Sequence, residues 1–235
     1  MTVLPLPVDR VEGTAILAEK FESFQGEGPL TGQHCVFCRF SRCNLTCNWC
    51  DTKYTWDWTQ YMPTEVSSRV PVPDLVDWIA ERDVDLVVIT GGEPMLQQPA
   101  MTLLAASLGT GVRVQVETNG TQVPTPELVD LVDLWVVSPK LANSGVDYSR
   151  RIVPSALTAL KATGRAAFKF VVTDQATDFD EINGLARDFD LDPIWVMPEG
   201  DTREKVLAGM ETIHGPAVER GWYISTRLHT LTGAR

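Results

Sequence analysis

Cys43-Asn44-Leu45-Thr46-Cys47-Asn48-Trp49-Cys50-Asp51-Thr52 is the stretch around which the chain is organised. Its three cysteines are spaced x3 and then x2. Three thiolates can hold three corners of a cubane 4Fe–4S cluster and leave the fourth iron without a protein ligand. Clusters are ordinarily anchored by four cysteines, so a set of three points to a working cluster with an open coordination position. The same logic separates catalytic from structural zinc. The other reading is a structural zinc knot, which needs a second Cys or His pair nearby. Cys35 and Cys38 form a C-x2-C pair just upstream. However, Val36, Phe37 and Phe40 interleave with them in the pattern of a buried strand. In such a strand Cys38 shares a face with Phe40, and Cys35 faces the other way.

Composition narrows the remaining choices. The chain has 235 residues, enough for one sizeable domain with a real core. Hydrophobic residues make up 44% and charged residues 22%, the profile of a soluble globular protein. No apolar run approaches the roughly 20 residues that span a bilayer. The stretch from Met1 to Val11 carries Pro5, Pro7 and Asp9 and lacks the basic start and apolar run of a secretory signal, so a cytoplasmic protein is expected. Lys and Arg total 20 against 31 Asp and Glu, a net charge of −11. Nucleic acid is repelled by such a surface unless a basic patch intervenes. Arg150-Arg151 is the only adjacent basic pair and reads as a solvated turn. A small-molecule substrate, with no nucleic acid and no membrane partner, is the expectation. All five cysteines lie between residues 35 and 50, which argues against a disulfide framework and for metal binding.

Outward from the cysteines, the pattern becomes repetitive. Residues 1–13 read as an N-terminal arm and residues 14–235 as one core domain. Ala15 to Phe24 reads as a short strand or a turn leading into Gln25-Gly26-Glu27-Gly28, where glycines flank an acid and allow close backbone approach. His34 to Ser41 reads as the first core strand. Residues 54–70, rich in Trp56, Trp58 and Tyr61, read as an insertion, a lid or a local aromatic cluster. Beyond them strands and helices alternate. Strands are expected at Val84–Thr90, Val112–Val116, Leu134–Val137, Ala167–Val172, Ile194–Met197 and Trp222–Ser225. Helices are expected at Asp74–Arg82, Gln97–Leu108, Pro126–Val132, Pro154–Thr163, Phe179–Phe189 and Thr202–Glu219. Such alternation means parallel βα units. With about seven core strands the chain falls short of eight units. Polar motifs follow Thr90, Val116, Val137 and Met197, at the carboxyl ends of strands where barrel active sites sit. A doubly wound open sheet is the alternative that the pattern alone leaves open.

A resemblance decides between these architectures. The cysteine spacing is the cluster signature of the radical S-adenosylmethionine (SAM) superfamily. Phe24-Gln25-Gly26-Glu27-Gly28, Phe37-Cys38-Arg39-Phe40, Cys43-Asn44-Leu45 and Trp49-Cys50-Asp51-Thr52 together resemble the 7-carboxy-7-deazaguanine synthase family. The resemblance spans nearly the whole chain. It implies an incomplete, TIM-like βα barrel and a 4Fe–4S cluster on Cys43, Cys47 and Cys50. It implies a lyase that uses a 5'-deoxyadenosyl radical from SAM to contract the ring of 6-carboxy-5,6,7,8-tetrahydropterin, giving 7-carboxy-7-deazaguanine and ammonia. The product feeds 7-deazapurines such as queuosine. The resemblance further implies magnesium, bound through the Thr52 hydroxyl, a flavodoxin-like or ferredoxin-like electron donor and a homodimer.

Site residues follow by position. SAM contacts are implied at Trp49, Cys50, Asp51, Gly92, Glu93, Glu117, Asn119, Ser138, Pro139, Lys140, Val196, Met197, Pro198 and Glu199. Substrate contacts are implied at Phe24, Gln25, Gly26, Glu27, Arg39, Thr90 and His229, and at the terminal carboxylate of Arg235. Read without the resemblance, Gly91-Gly92-Glu93-Pro94 is a weak signal, a strand-end turn. Arg39, unusual within a buried strand, would then be half of a structural salt bridge. His229 alone reads as a structural or surface histidine. A glycyl-radical activase shares the cluster motif, but the Gln-Gly-Glu turn and Arg39 weigh against it. A zinc-binding interaction module is the reading from a different functional class.

Overall fold

A computed structural model describes residues 11–234. The N-terminal arm expected over residues 1–13 falls mostly outside them, as does Arg235. Nine strands form one sheet: β1 (Thr14–Phe24), β2 (His34–Phe40), β3 (Ser68–Pro71), β4 (Leu86–Gly91), β5 (Arg113–Thr118), β6 (Leu134–Val137), β7 (Ala166–Val172), β8 (Ile194–Pro198) and β9 (Tyr223–Ile224). The helices are α1 (Pro63–Val66), α2 (Val72–Ala80), α3 (Gln98–Ser107), α4 (Pro126–Leu131), α5 (Tyr148–Arg151), α6 (Pro154–Ala162), α7 (Gln175–Phe189), α8 (Arg203–Glu219) and α9 (Leu228–Thr232).

The strand order is β3-β1-β2-β4-β5-β6-β7-β8-β9. From β2 to β9 every pairing is parallel. These are the seven core strands expected from the sequence. At the other edge β1 pairs antiparallel with β2 and with β3. Thus Ala15 to Phe24 is a full strand rather than a turn. The segment 54–70 is tied into the sheet at its end, since Leu17 of β1 opposes Ser68 of β3.

The order settles the architecture. A doubly wound sheet reverses its strand order midway and carries helices on both faces. Here the parallel strands follow chain order without reversal. Right-handed crossovers then place the helices that connect the parallel strands on one side. Accordingly one large core holds Val36, Cys38 and Phe40 of β2, Val87 and Ile89 of β4, Trp135 and Val137 of β6, and Phe168 and Phe170 of β7. It also holds the buried faces of α2, α3, α6 and α7. The opposite face of the sheet, left without helices, lines a cavity. The sheet does not close, as an incomplete barrel requires.

Local chemistry supports each element. In α2, Val72, Leu75 and Ile79 recur at helical spacing and are all buried. Asp174 and Thr202 cap α7 and α8 by accepting from the backbone N–H groups of Thr177 and Lys205, at 3.1 and 3.3 Å. The buried amide of Gln97 bridges the backbone of Ile16 and Ser41, fastening β1 to the end of β2. Arg150-Arg151 is not a solvated turn. Arg151 is buried, donates to the carbonyls of Val146 and Lys140, and pairs with Glu181 at 2.7 Å. A guanidinium has five donors in a rigid fork, which suits it to bracing loop carbonyls.

Phe168, fully buried where β7 meets the helical layer, reports on this core. Phe168→Ala is expected to lower the unfolding free energy by about 3–5 kcal/mol, read as a shifted midpoint in chemical denaturation.

Candidate active site

The cavity opens at the carboxyl ends of the parallel strands, with about 1370 Å³ of space counting its mouth. Strand alternation decides what faces it. Phe37 and Arg39 of β2, Thr90 of β4, Glu117 of β5, Val136 of β6, Lys169 and Val171 of β7 and Met197 of β8 point inward. Their neighbours along each strand point into the helical core.

Cys43, Cys47 and Cys50 border this cavity together. Their loop is stapled on several sides. The Asn44 amide donates to Thr121 Oγ1 at 2.8 Å, and its oxygen accepts from Asn119 Nδ2 at 3.0 Å. The Asn44 carbonyl accepts from Arg150 at 2.7 Å. The Trp49 indole donates to Asn143 Oδ1 at 3.1 Å, and Lys140 lies over the Trp49 ring. A Cβ on Gly145 would collide with Asn48, so that glycine permits the close approach.

The donor set fits an iron–sulfur cluster. Hydrogen-bond donors stand against the sulfurs: Leu45 N–H on Cys43 at 3.4 Å, and the Trp56 indole N–H on Cys50 at 3.3 Å. The Thr52 hydroxyl is 3.5 Å from the Cys50 sulfur. Such bonds stabilise thiolates and tune cluster potentials. Burial pushes the thiols of Cys43 and Cys47 upward, and bound metal reverses that preference because only thiolates ligate. Each thiolate of a cubane holds a different iron, so the cysteines need only border one space. Among the described residues no three His, Cys, Asp or Glu side chains are grouped to hold one metal ion. Cys35 and Cys38 lie on opposite faces of β2, in separate clusters, and burial raises both thiols to about 12.

Glu93 lies behind the cavity rather than on it. Its carboxylate is fully buried and accepts from Met95 N–H at 3.0 Å, Thr118 Oγ1 at 2.8 Å and Asn119 N–H at 2.6 Å. Burial nevertheless lifts its pKa to about 7, against these three bonds. Its role is to order the loop. Gly92 does line the cavity, and a Cβ there would strike the Arg42 carbonyl and the Cys43 side chain.

A network of charges also lines the cavity. Glu27 pairs with Lys169, with Arg227 at 3.2 Å, and lies 3.9 Å from His229. Burial alone would raise its pKa, but Lys169 and Arg227 outweigh it and hold the carboxyl at about 2. For His229 burial leads, with Arg227 adding to it, and its pKa falls below the usual value. Arg227 also pairs with Asp51. Arg39 binds Glu19 at 2.8 Å, and Tyr54 donates to the same oxygen at 2.7 Å. Arg39 is therefore half of a salt bridge and also a wall of the cavity. Glu117 accepts from Gln25 at 3.0 Å and from Thr90 at 2.8 Å. Phe21 stacks on Phe37, with ring centroids 4.9 Å apart. The lining carries four basic side chains (Arg39, Lys140, Lys169, Arg227) and four acidic ones (Glu27, Asp51, Glu117, Glu199).

The structure thus gathers Phe24, Gln25, Gly26, Glu27, Arg39, Thr90 and His229 with Trp49, Asp51, Thr52, Gly92, Glu117, Asn119, Ser138, Lys140, Met197 and Glu199. Pro139 is buried, Val196 points into the helical core, and Pro198 packs on Gly209 of α8. None of these three side chains borders the cavity, because they alternate with residues that do. The terminal carboxylate of Arg235 lies outside the described residues. Lys169 and Arg227 were missed by sequence reasoning. Lys169 had a signal, a charge at the centre of the apolar run Ala166-Ala167-Phe168-Lys169-Phe170-Val171-Val172.

A family model of the radical SAM superfamily matches residues 37–134. A 7-carboxy-7-deazaguanine synthase of Pyrobaculum aerophilum is 35% identical over 216 residues, covering 91% of this chain and 92% of the relative. One from Halobacterium salinarum is 34% identical, covering 93% and 90%. The crystal structure of QueE from Escherichia coli matches with a TM-score of 0.70 at 26% identity, covering 92% of this chain and 95% of that one.

Two substitutions test this geometry. Glu93→Gln sets an amide N–H against donors and is expected to cost about 1–3 kcal/mol in thermal or chemical unfolding. Glu27 has a folded pKa of about 2 against an ordinary 4.5. Its stabilisation is therefore complete above pH 4.5 and lost as pH falls toward 2. The stability advantage of wild type over Glu27→Gln should shrink across that window in acid denaturation series.

Proposed function

This chain belongs to the 7-carboxy-7-deazaguanine synthase family of the radical SAM superfamily, and on that premise we propose that its cavity binds 6-carboxy-5,6,7,8-tetrahydropterin beside SAM and releases 7-carboxy-7-deazaguanine and ammonia. One observation carries the reading. The three cluster cysteines and the Glu27–Lys169–Arg227–His229 network line a single cavity, and the Arg227–Asp51 pair joins them.

Members of this family use a 4Fe–4S cluster, SAM and magnesium. Cys43, Cys47 and Cys50 hold the cluster. Bound there, the cluster with SAM would supply radical chemistry able to remove a hydrogen atom from a carbon of the substrate. The protein's own share is orientation and exclusion of water. Gly92, Asn119, Ser138, Lys140, Met197 and Glu199, with Trp49 and Asp51, surround SAM. Glu93, Pro139, Val196 and Pro198 shape those loops from behind or through their backbone.

On the substrate side, Phe24 and the Phe21–Phe37 stack offer flat apolar surface to the ring. Gln25, Thr90 and Glu117 form one hydrogen-bonded set that presents donors and acceptors to a pterin edge. Glu117, expected at SAM, accepts from Gln25, Thr90 and Gln115, and so links the SAM-side and substrate-side residues of the lining. Arg39 and Lys169 provide cationic charge for the substrate carboxylate in a site of low dielectric, where such pairing is strong. Gly26 and Glu27 set the turn against which His229 packs. The Thr52 hydroxyl faces the cavity beside Asp51, and Arg227 already pairs with Asp51. Thr52 would offer magnesium one hydroxyl oxygen, and hard oxygen ligands from outside the chain would have to complete the site.

The electron comes from a flavodoxin-like or ferredoxin-like donor, the protein works as a homodimer in the cytoplasm, and the product enters queuosine-type 7-deazapurine synthesis. No helix of the described residues is long and apolar enough to cross a membrane.

The test is an anaerobic assay with reconstituted cluster, SAM, reductant, magnesium and 6-carboxytetrahydropterin, with products followed by mass spectrometry. Formation of 7-carboxy-7-deazaguanine, abolished in Cys47→Ala, is the expected result. Steady 5'-deoxyadenosine without that product would remove the substrate assignment.

A further inference from the structure

One member of the charge network has an unusual geometry. Arg227 precedes α9 and uses all three faces of its guanidinium. Nε donates to Glu27 Oε1 at 3.2 Å, Nη1 donates to the Gly200 carbonyl at 2.6 Å, and Nη2 pairs with Asp51 Oδ2. These partners lie on three separate segments: the turn after β1, the loop after β8 and the cysteine loop.

The helix that follows depends on outside contacts. α9 spans five residues and buries none of them. A helix this short is not stable by itself, and this one has no apolar face sunk in the core. Its attachments are polar and few. Leu228 N–H donates to the Gly26 carbonyl at 2.9 Å, and Arg203 donates to the Leu231 carbonyl at 3.3 Å. The ring of His229 rests against Gly26, where a Cβ would find no room. Arg227, with its side chain 12% exposed, is the buried polar anchor of this segment.

We propose that Arg227 is a positioning residue that docks α9 over the cavity, so that His229 and Glu27 form the substrate-side wall only while the guanidinium spans from Glu27 to Asp51. A lysine cannot substitute. One ammonium on a flexible stem cannot reach three acceptors in a planar fork. Without the guanidinium, Glu27 keeps Lys169 as a partner, whereas Asp51 and the Gly200 carbonyl lose the contact that joins them to α9. The cysteine loop keeps its own staples through Asn44, Trp49 and Arg150. The loss should therefore fall on α9 and on the wall formed by His229 and Glu27, while the sheet keeps its own packing.

This inference rests on the pterin reading only for its kinetic arm. The test compares reconstituted wild type with Arg227→Lys and Arg227→Gln by hydrogen–deuterium exchange and by steady-state kinetics. In both variants the amides of residues 228–232 should exchange faster while those of β4 to β8 keep wild-type protection. The KM for 6-carboxytetrahydropterin should rise on the order of tenfold to a hundredfold, the scale of a misplaced binding wall. Unchanged exchange in α9, or an unchanged KM, overturns the proposal. Loosening of the sheet together with α9 also overturns it, because Arg227 would then hold the fold as a whole. If wild type makes no product from this pterin, the substrate reading fails, and the exchange arm still decides whether Arg227 docks α9.

Discussion

The carboxylate of Glu93 is the point to which the carboxyl end of the sheet is referenced. It accepts from Met95, Thr118 and Asn119, while its own N–H donates to the Arg42 carbonyl at 2.8 Å. The ends of β4 and β5 and the start of the cysteine loop thus meet at one residue. The backbone around it has little freedom. Arg42 holds a φ of 85°, a left-handed conformation that costs a non-glycine residue energy. Its N–H donates to the Thr55 carbonyl at 2.9 Å, and Gly92 N–H donates to the Phe40 carbonyl at 3.1 Å. Neither Gly91 nor Gly92 has space for a Cβ. A buried carboxylate is weak evidence for added stability, since its desolvation is costly. Its value here is geometric: it fixes where Cys43 begins.

The sheet then divides labour between its faces. Toward the helices it is apolar, and the main core runs from β1 to β9 without a break. Toward the cavity it carries charge, and each inward charge is matched. Arg39 has Glu19 and Tyr54 about it, Lys169 has Glu27, and Glu117 has Gln25 and Thr90. Unmatched charges would be too costly in such a setting. Matched and preorganised, they provide fixed dipoles and charges to a ligand at little reorganisation cost. The chain as a whole carries −11, yet the cavity lining is balanced, so an anionic ligand does not meet the repulsion of the outer surface.

The cysteine loop illustrates how irregular backbone is held still. It has no regular secondary structure from Ser41 to Thr52. Side-chain amides and guanidinium groups do the work of a ladder: Asn44 and Asn119 pair across loops, and Arg150 and Arg151 cap carbonyls. The segment 54–70 adds Trp56, whose indole N–H reaches Cys50. It therefore forms part of the wall around the sulfurs as well as the strand that completes the sheet edge.

Much of this was legible in the chain itself. Hydrophobic periodicity located the seven parallel strands, because strands buried on one face by helices read as short apolar runs. The cysteine spacing and the strand-end motifs located the site, because parallel βα units bring every carboxyl end to one rim. What the sequence could not decide was partnership. Arg39 read as either salt bridge or cavity residue, and it is both. Arg150-Arg151 read as solvated, and Arg151 is buried against loop carbonyls. Glu27, Lys169 and Arg227 are far apart in sequence, and no local pattern links them. Periodicity is a local property and survives in the linear chain. Ion pairing and loop bracing depend on distances between segments, and only the folded sheet sets those distances.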